Sequence, residues 1–85
     1  MDRSLIKAFW NCGDSQIIEF ALIRAHLNKI EKEVLLLMLD ERLTQEEVAE
    51  RLDWSTRKVQ DHWKSATNKL LSIPWVKAYA RELLS

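Results

Sequence analysis

The 85-residue sequence contains one cysteine, one glycine and one proline. A lone cysteine, Cys12, excludes an internal disulfide and suits a reducing cytosol. Its small apolar side chain near a helix end reads as packing. Scarce glycine and proline, with few β-branched runs, leave little of the turn chemistry that hairpins and sheets require. Long hydrophobic runs are also missing. The longest, Val34 to Leu39, is six residues, against the ~20 that cross a bilayer. The opening MDRSLIKAFW has no apolar stretch of signal-peptide length. Net charge is zero, so no bulk electrostatic attraction draws the chain to a polyanion. These absences predict a cytoplasmic protein with no membrane partner.

Leu, Ala, Glu, Lys and Arg dominate, and all favour helix. The expected fold is all-α: one domain over residues 1–85, a small helical bundle with a helix-turn-helix near its C-terminus and an extra short helix at each end. A chain of this length buries something over ~60% of its unfolded surface, enough for one compact core.

Apolar spacing places the helices. Leu5, Ile6, Phe9 and Trp10 form the stripe of a short N-terminal helix within 1–13, capped by Asp2 or Ser4. Gly13 suits the left-handed position past its end. Asp14 or Ser15 caps a second helix running to about His26, with Ile17, Ile18, Ala21, Leu22 and Ala25 inward. Asn28 caps a third, Lys29 to about Leu39. Its Ile30, Val34, Leu37 and Met38 make a face that Leu35, Leu36 and Leu39 widen, as in a central helix. Pro74 ends the preceding helix and starts a last one. There Trp75, Val76, Tyr79, Ala80, Leu83 and Leu84 repeat the pattern of the first.

Residues 43–70 read as the helix-turn-helix within a 14–71 segment. Thr44 and Glu47 make a capping box, and Val48, Ala49 and Leu52 give that short helix an apolar face. Asp53-Trp54 is the turn and Ser55 the next N-cap. Val59, Trp63, Ala66 and Leu70 then recur at helical steps, which turns Arg57, Asp61, Lys64 and Asn68 outward. Charge is unevenly spread. Residues 28–54 carry a net −4, whereas 55–69 carry +3 through Arg57, Lys58, Lys64 and Lys69 against Asp61. A short capped helix, a tight turn and a longer helix with a polar outer face can enter a DNA major groove.

The series Leu27-Asn28-Lys29-Ile30-Glu31-Lys32-Glu33-Val34-Leu35, then Leu43-Thr44-Gln45-Glu46-Glu47-Val48-Ala49-Glu50-Arg51-Leu52, then Ser55, Val59, Ala66, Lys69 and Leu70, resembles region four of sigma-70-type transcription factors. The resemblance covers about Ile18 to Leu71. It implies a last helix laid in the major groove of a promoter element and a surface that touches RNA polymerase. By position, Thr56, Arg57, Lys58, Gln60, Asp61, His62 and Lys64 would line the DNA side, while Thr44 and Gln45 would meet the backbone. Asp53 stands where the family often has glycine, Arg57 where a small residue is common, and Trp63 where an aliphatic is usual. The chain has no room for a promoter-melting domain, so the expectation is a stand-alone phage or bacterial regulator.

The candidate DNA-binding set is Thr44, Gln45, Ser55, Thr56, Arg57, Lys58, Gln60, Asp61, His62 and Lys64. Arg57 either bonds bidentately to guanine or pairs with Asp61 one helical turn on. Asp61 either accepts from cytosine or orients a neighbouring cation. Gln60 either reads adenine or is solvated. Lys64 and Lys69 would meet phosphates. The acids Glu46 and Glu47 suit a helix start. His26 and His62 lack partners at metal-ligand spacing, and no nucleophile set, phosphate loop or paired acids suggest catalysis. No cofactor, metal or small-molecule substrate is expected. Trp63 is expected in the core and Trp54 as a plug in the turn. The terminal helices either pack internally or form a partner surface, for which Trp75, Val76, Tyr79 and Leu83 are the candidates. The function expected is sequence-specific binding of double-stranded DNA in transcriptional regulation. The alternative is a module that docks on RNA polymerase without reading DNA. A homodimer would suit a paired operator, whose two reading helices lie ~34–36 Å apart.

Overall fold

The computed structural model describes residues 3–85. Asp2, one of the two candidate caps of the first helix, lies outside them. The described chain is all-α: α1 (Arg3–Trp10), α2 (Ser15–Arg24), α3 (Lys29–Leu35), α4 (Gln45–Leu52), α5 (Thr56–Leu71) and α6 (Pro74–Leu84), with a π-helical turn at Leu36–Asp40. Among the described residues there is no strand, and no helix is long and apolar enough to cross a membrane. The chain divides into two compact units. One gathers the described residues up to His26 with Thr67–Ser85, and the other is Leu27–Ala66.

In the terminal unit, Ser4 falls in the first turn of α1. Gly13 takes φ +85°, the left-handed geometry that follows the helix; no atom lies within 4 Å of where a β-carbon would stand, so the backbone angle and not space favours glycine. Asp14 is the cap of α2: its Oδ1 accepts from the N–H of Gln16 at 3.0 Å and of Ile17 at 3.3 Å. The helix stops at Arg24, two residues short of the expected His26. His26 instead adopts φ 54°, which breaks the helical repeat. Ala21 and Ala25 are buried, whereas Ile17, Ile18 and Leu22 are half-buried. Phe20 and Ile23 stay 56% and 68% exposed.

The matching stripes of the first and last helices are explained by their pairing. α1 and α6 pack on each other. Phe9 is enclosed and meets Trp75 and Tyr79 edge-on, with ring centroids 6.3 and 6.2 Å apart. Ile6, Val76 and Ala80 are also fully buried. Pro74 opens α6 as its position predicts, after an extended Ile73. The partner-surface expectation needs correction at Val76, which has no exposed area. Pairing with α1 covers part of the wide α6 stripe and leaves Trp75 and Leu83 exposed and Tyr79 half-buried.

In the central unit α3 is rotated from its expected register. Ile30 is 44% exposed and Glu31 is 2% exposed. The cause is polar. Glu31 Oε1 accepts from the Asn28 N–H at 3.0 Å, and Asn28 Oδ1 accepts from the Glu31 N–H at 2.7 Å, a reciprocal capping box. Glu31 Oε2 accepts from the hydroxyl of Ser65 on α5. A buried carboxylate is tolerated where such donors replace water. Val34, Leu35 and Leu37 supply the apolar side. The last turn, expected as ordinary helix to about Leu39, widens: the Glu41 N–H reaches the Leu36 carbonyl at 3.1 Å, and the Leu43 N–H reaches that of Leu37 at 3.0 Å. Arg42 closes it at φ 57°.

Burial separates the two kinds of apolar residue energetically. Phe9→Ala should lower the unfolding free energy by roughly 3–5 kcal/mol, whereas Ile23→Ala should change it by no more than about 0.5 kcal/mol. Urea denaturation followed by tryptophan fluorescence measures both.

Candidate nucleic-acid interface

The site is built on the passage from α4 to α5. Thr44 caps α4 as its spacing to Glu47 predicts. The Thr44 hydroxyl accepts from the Glu47 N–H at 3.2 Å, and the Glu47 carboxylate accepts from the Thr44 N–H at 3.1 Å. Val48 and Ala49 are buried, which seats the short helix. Its end is a Schellman arrangement: the Trp54 N–H donates to the Ala49 carbonyl at 2.8 Å and the Asp53 N–H to that of Glu50 at 3.3 Å. Asp53 holds φ 56°, ψ 46°. This is the left-handed conformation, and aspartate is among the few side chains that adopt it readily. Ser55 then caps α5, its hydroxyl accepting from the Lys58 N–H at 3.2 Å.

That turn fixes which side of α5 faces out. Val59 and Ala66 have no exposed surface and Trp63 has 5%. Ser55, Thr56, Arg57, Lys58, Gln60, Asp61 and Lys64 are exposed, and Gln45 and His62 are half-buried. The candidate side chains therefore share one accessible region across the start of α4 and the first two and a half turns of α5. Thr44 is also exposed, though its hydroxyl is already engaged as a cap.

Local contacts sort the candidates. Arg57 and Asp61 form no ion pair with each other, so the guanidinium fork stays open to a partner outside the chain. Gln60 does not stand alone: its Nε2 donates to Gln45 Oε1 at 2.8 Å, tying the first turn of α4 to α5. Trp54 is less a plug in the turn than a platform. The Lys58 ammonium lies 4.4 Å above its ring, a cation–π contact worth about 0.5–1 kcal/mol at an exposed site. The His62 ring lies 5.0 Å from it at a 38° tilt. This Trp54–Lys58–His62 column was not foreseen from the residue types, but its four-residue spacing was there to be read.

The opposite sign of charge lies beside this region. Glu46, Glu47 and Glu50 are exposed on α4. A shallow depression is lined by Leu43, Glu47, Glu50 and Arg51, with Arg51 paired to Glu41 at 3.2 Å. Among the described residues, no three His, Cys, Asp or Glu side chains gather where they could hold a metal ion.

The left-handed turn yields a stability test. Asp53→Val places a β-branched residue at positive φ and should cost roughly 1–2 kcal/mol, while Asp53→Gly should be neutral or stabilising. Thermal denaturation of the two variants distinguishes strain from loss of the carboxylate, which both share.

Neither a comparison with curated proteins nor one with solved structures returned a match. The family model for sigma-70, region 4, matches residues 25–70, which hold the capped α3, the π turn, α4, the left-handed turn and nearly all of α5. With more than half of its length matched and the helix-turn-helix intact, the chain belongs to the sigma-70 region 4 family.

Proposed function

We propose that this protein is a sequence-specific double-stranded DNA-binding regulator of transcription that lays the N-terminal half of α5 in a major groove. The observation that carries the reading is the division of α5 itself. Its apolar side is enclosed by the protein, and Thr56, Arg57, Lys58, Gln60, Asp61 and Lys64 remain at the surface. Recognition helices of this class present base-reading side chains from their first turns, where Arg57 has no acidic partner among the described residues. In this reading Lys58 and Lys64 meet phosphates, contacts that set register and supply much of the affinity. The start of α4, with Thr44 and Gln45, lies against the backbone in this reading. The acids of α4 keep the overall charge near zero, so binding relies on the local +3 of residues 55–69 and not on bulk attraction.

A second surface favours a protein partner beside the DNA. In the terminal unit, the Phe20 and Trp75 rings meet at a 43° tilt with centroids 5.8 Å apart, and they line a cleft of about 470 Å³ with Asp14, Gln16 and Ile17. Ile23 and Leu83 are exposed large apolar residues of the same unit. Contact of this apolar surface with RNA polymerase would let the protein recruit or block the enzyme at a bound promoter.

Selection of bound duplexes from a random pool should enrich one motif, and affinity for it should fall steeply with added salt. Arg57→Ala should cost roughly 1–3 kcal/mol on that motif and relax the preference at one position. A pool that enriches nothing at low salt would remove the DNA reading. Capture of purified RNA polymerase should depend on Trp75 and Leu83 and be indifferent to Arg57→Ala. Capture that survives loss of both apolar residues would remove the docking reading.

A further inference from the structure

The His62 ring is held from two directions. Its face lies against the Trp54 indole, whose own backbone is anchored by the bond to Ala49. Its Nδ1 is 2.9 Å from the backbone oxygen of Lys58. A carbonyl oxygen only accepts, so Nδ1 carries the hydrogen. In the neutral imidazole the other nitrogen, Nε2, is then a bare acceptor. Nε2 has no hydrogen-bond partner among the described residues. Turning the ring over would put Cδ2 in place of Nδ1 at the Lys58 oxygen and lose that bond, so the backbone oxygen favours this orientation.

We propose that His62 is a specificity-determining residue, its Nε2 accepting a hydrogen bond from the exocyclic amino group of an adenine or cytosine. This rests on the DNA reading above and sharpens it. Phosphate oxygens only accept, and so do guanine O6 and N7 and thymine O4. A neutral ring in this tautomer is repelled by all of them. The amino groups on adenine N6 and cytosine N4 are the donors that a major groove offers. His62 therefore selects amino-bearing bases at one position. The exposed cations Arg57, Lys58 and Lys64 are donors only and suit guanine or phosphate instead. The two chemistries divide the face of α5 between bases that give a hydrogen bond and groups that receive one.

The test uses the best duplex from the random-pool selection, in mildly alkaline buffer. The exocyclic amino group of each adenine and cytosine is replaced in turn by hydrogen. At one position this should weaken binding of the unaltered protein roughly two- to twelvefold, the range for one net hydrogen bond. The same replacement should leave binding by His62→Ala unchanged. His62→Arg, which only donates, should move the preferred base at that position to guanine. The inference is overturned if no amino replacement affects the unaltered protein, or if His62→Ala responds to it equally. It is also overturned if His62→Arg keeps the original base. Should His62→Ala fail to fold, the unaltered protein and His62→Arg still decide it. A pool that enriches nothing removes the DNA reading as a whole, a result distinct from an enriched site indifferent to His62.

Discussion

The arrangement of the candidate interface depends on the burial of one side of α5. Val59, Trp63 and Ala66 lie at steps of four and three, and all are enclosed. A helix advances 100° per residue, so fixing those three positions fixes every other side chain on its surface. Arg57, Lys58, Gln60, Asp61 and Lys64 are outward because their neighbours are inward. A substitution that let Trp63 rotate out would redirect the whole face at once, without touching any residue of the candidate interface.

Three polar devices hold that orientation where hydrophobic burial alone would let the helix slide or turn. At its start, the Schellman bonds of Asp53 and Trp54 set the angle at which the chain leaves α4, and the Gln45–Gln60 bond ties the two helices side by side. Farther along, Ser65 is bonded to the buried carboxylate of Glu31. That carboxylate also closes the capping box of α3, so one side chain links the start of α3 to the middle of α5. Directional bonds of this kind are modest in net stability but costly to leave unmade when buried. They therefore favour one register over its neighbours.

The surface of α5 also shows how little total charge says about any one face. Four basic residues and one acid in residues 55–69 sit beside an acidic segment, and the sum conceals the contrast. Trp54 refines it further by holding Lys58 and His62 against one ring. A cation resting on an indole is partly satisfied before any ligand arrives. A neighbouring imidazole pinned by a backbone oxygen is limited to one hydrogen-bonding role. Arg57, with no ion pair among the described residues, is left as the adaptable donor of the group.

Much of this was legible along the chain. Thr44 with Glu47, Asn28, Asp14, Ser55 and Pro74 mark helix starts by local chemistry, which acts over three or four residues and needs no distant partner. The inward stripe of α5 follows from period alone. The matched stripes of α1 and α6 announced two faces to be covered, but periodicity does not say by what. Only the folded chain shows that they cover each other, enclosing Val76 while leaving Trp75 and Leu83 outside. Tertiary structure likewise decided that Glu31 turns in and Ile30 out, because the hydroxyl that stabilises the carboxylate comes from Ser65, thirty-four residues away. Hydrophobicity would have ranked those two side chains the other way. A local pattern determines where helices begin and which side is apolar; the choice between two adjacent side chains, or two possible partners for a face, rests on groups that meet only when the chain has closed.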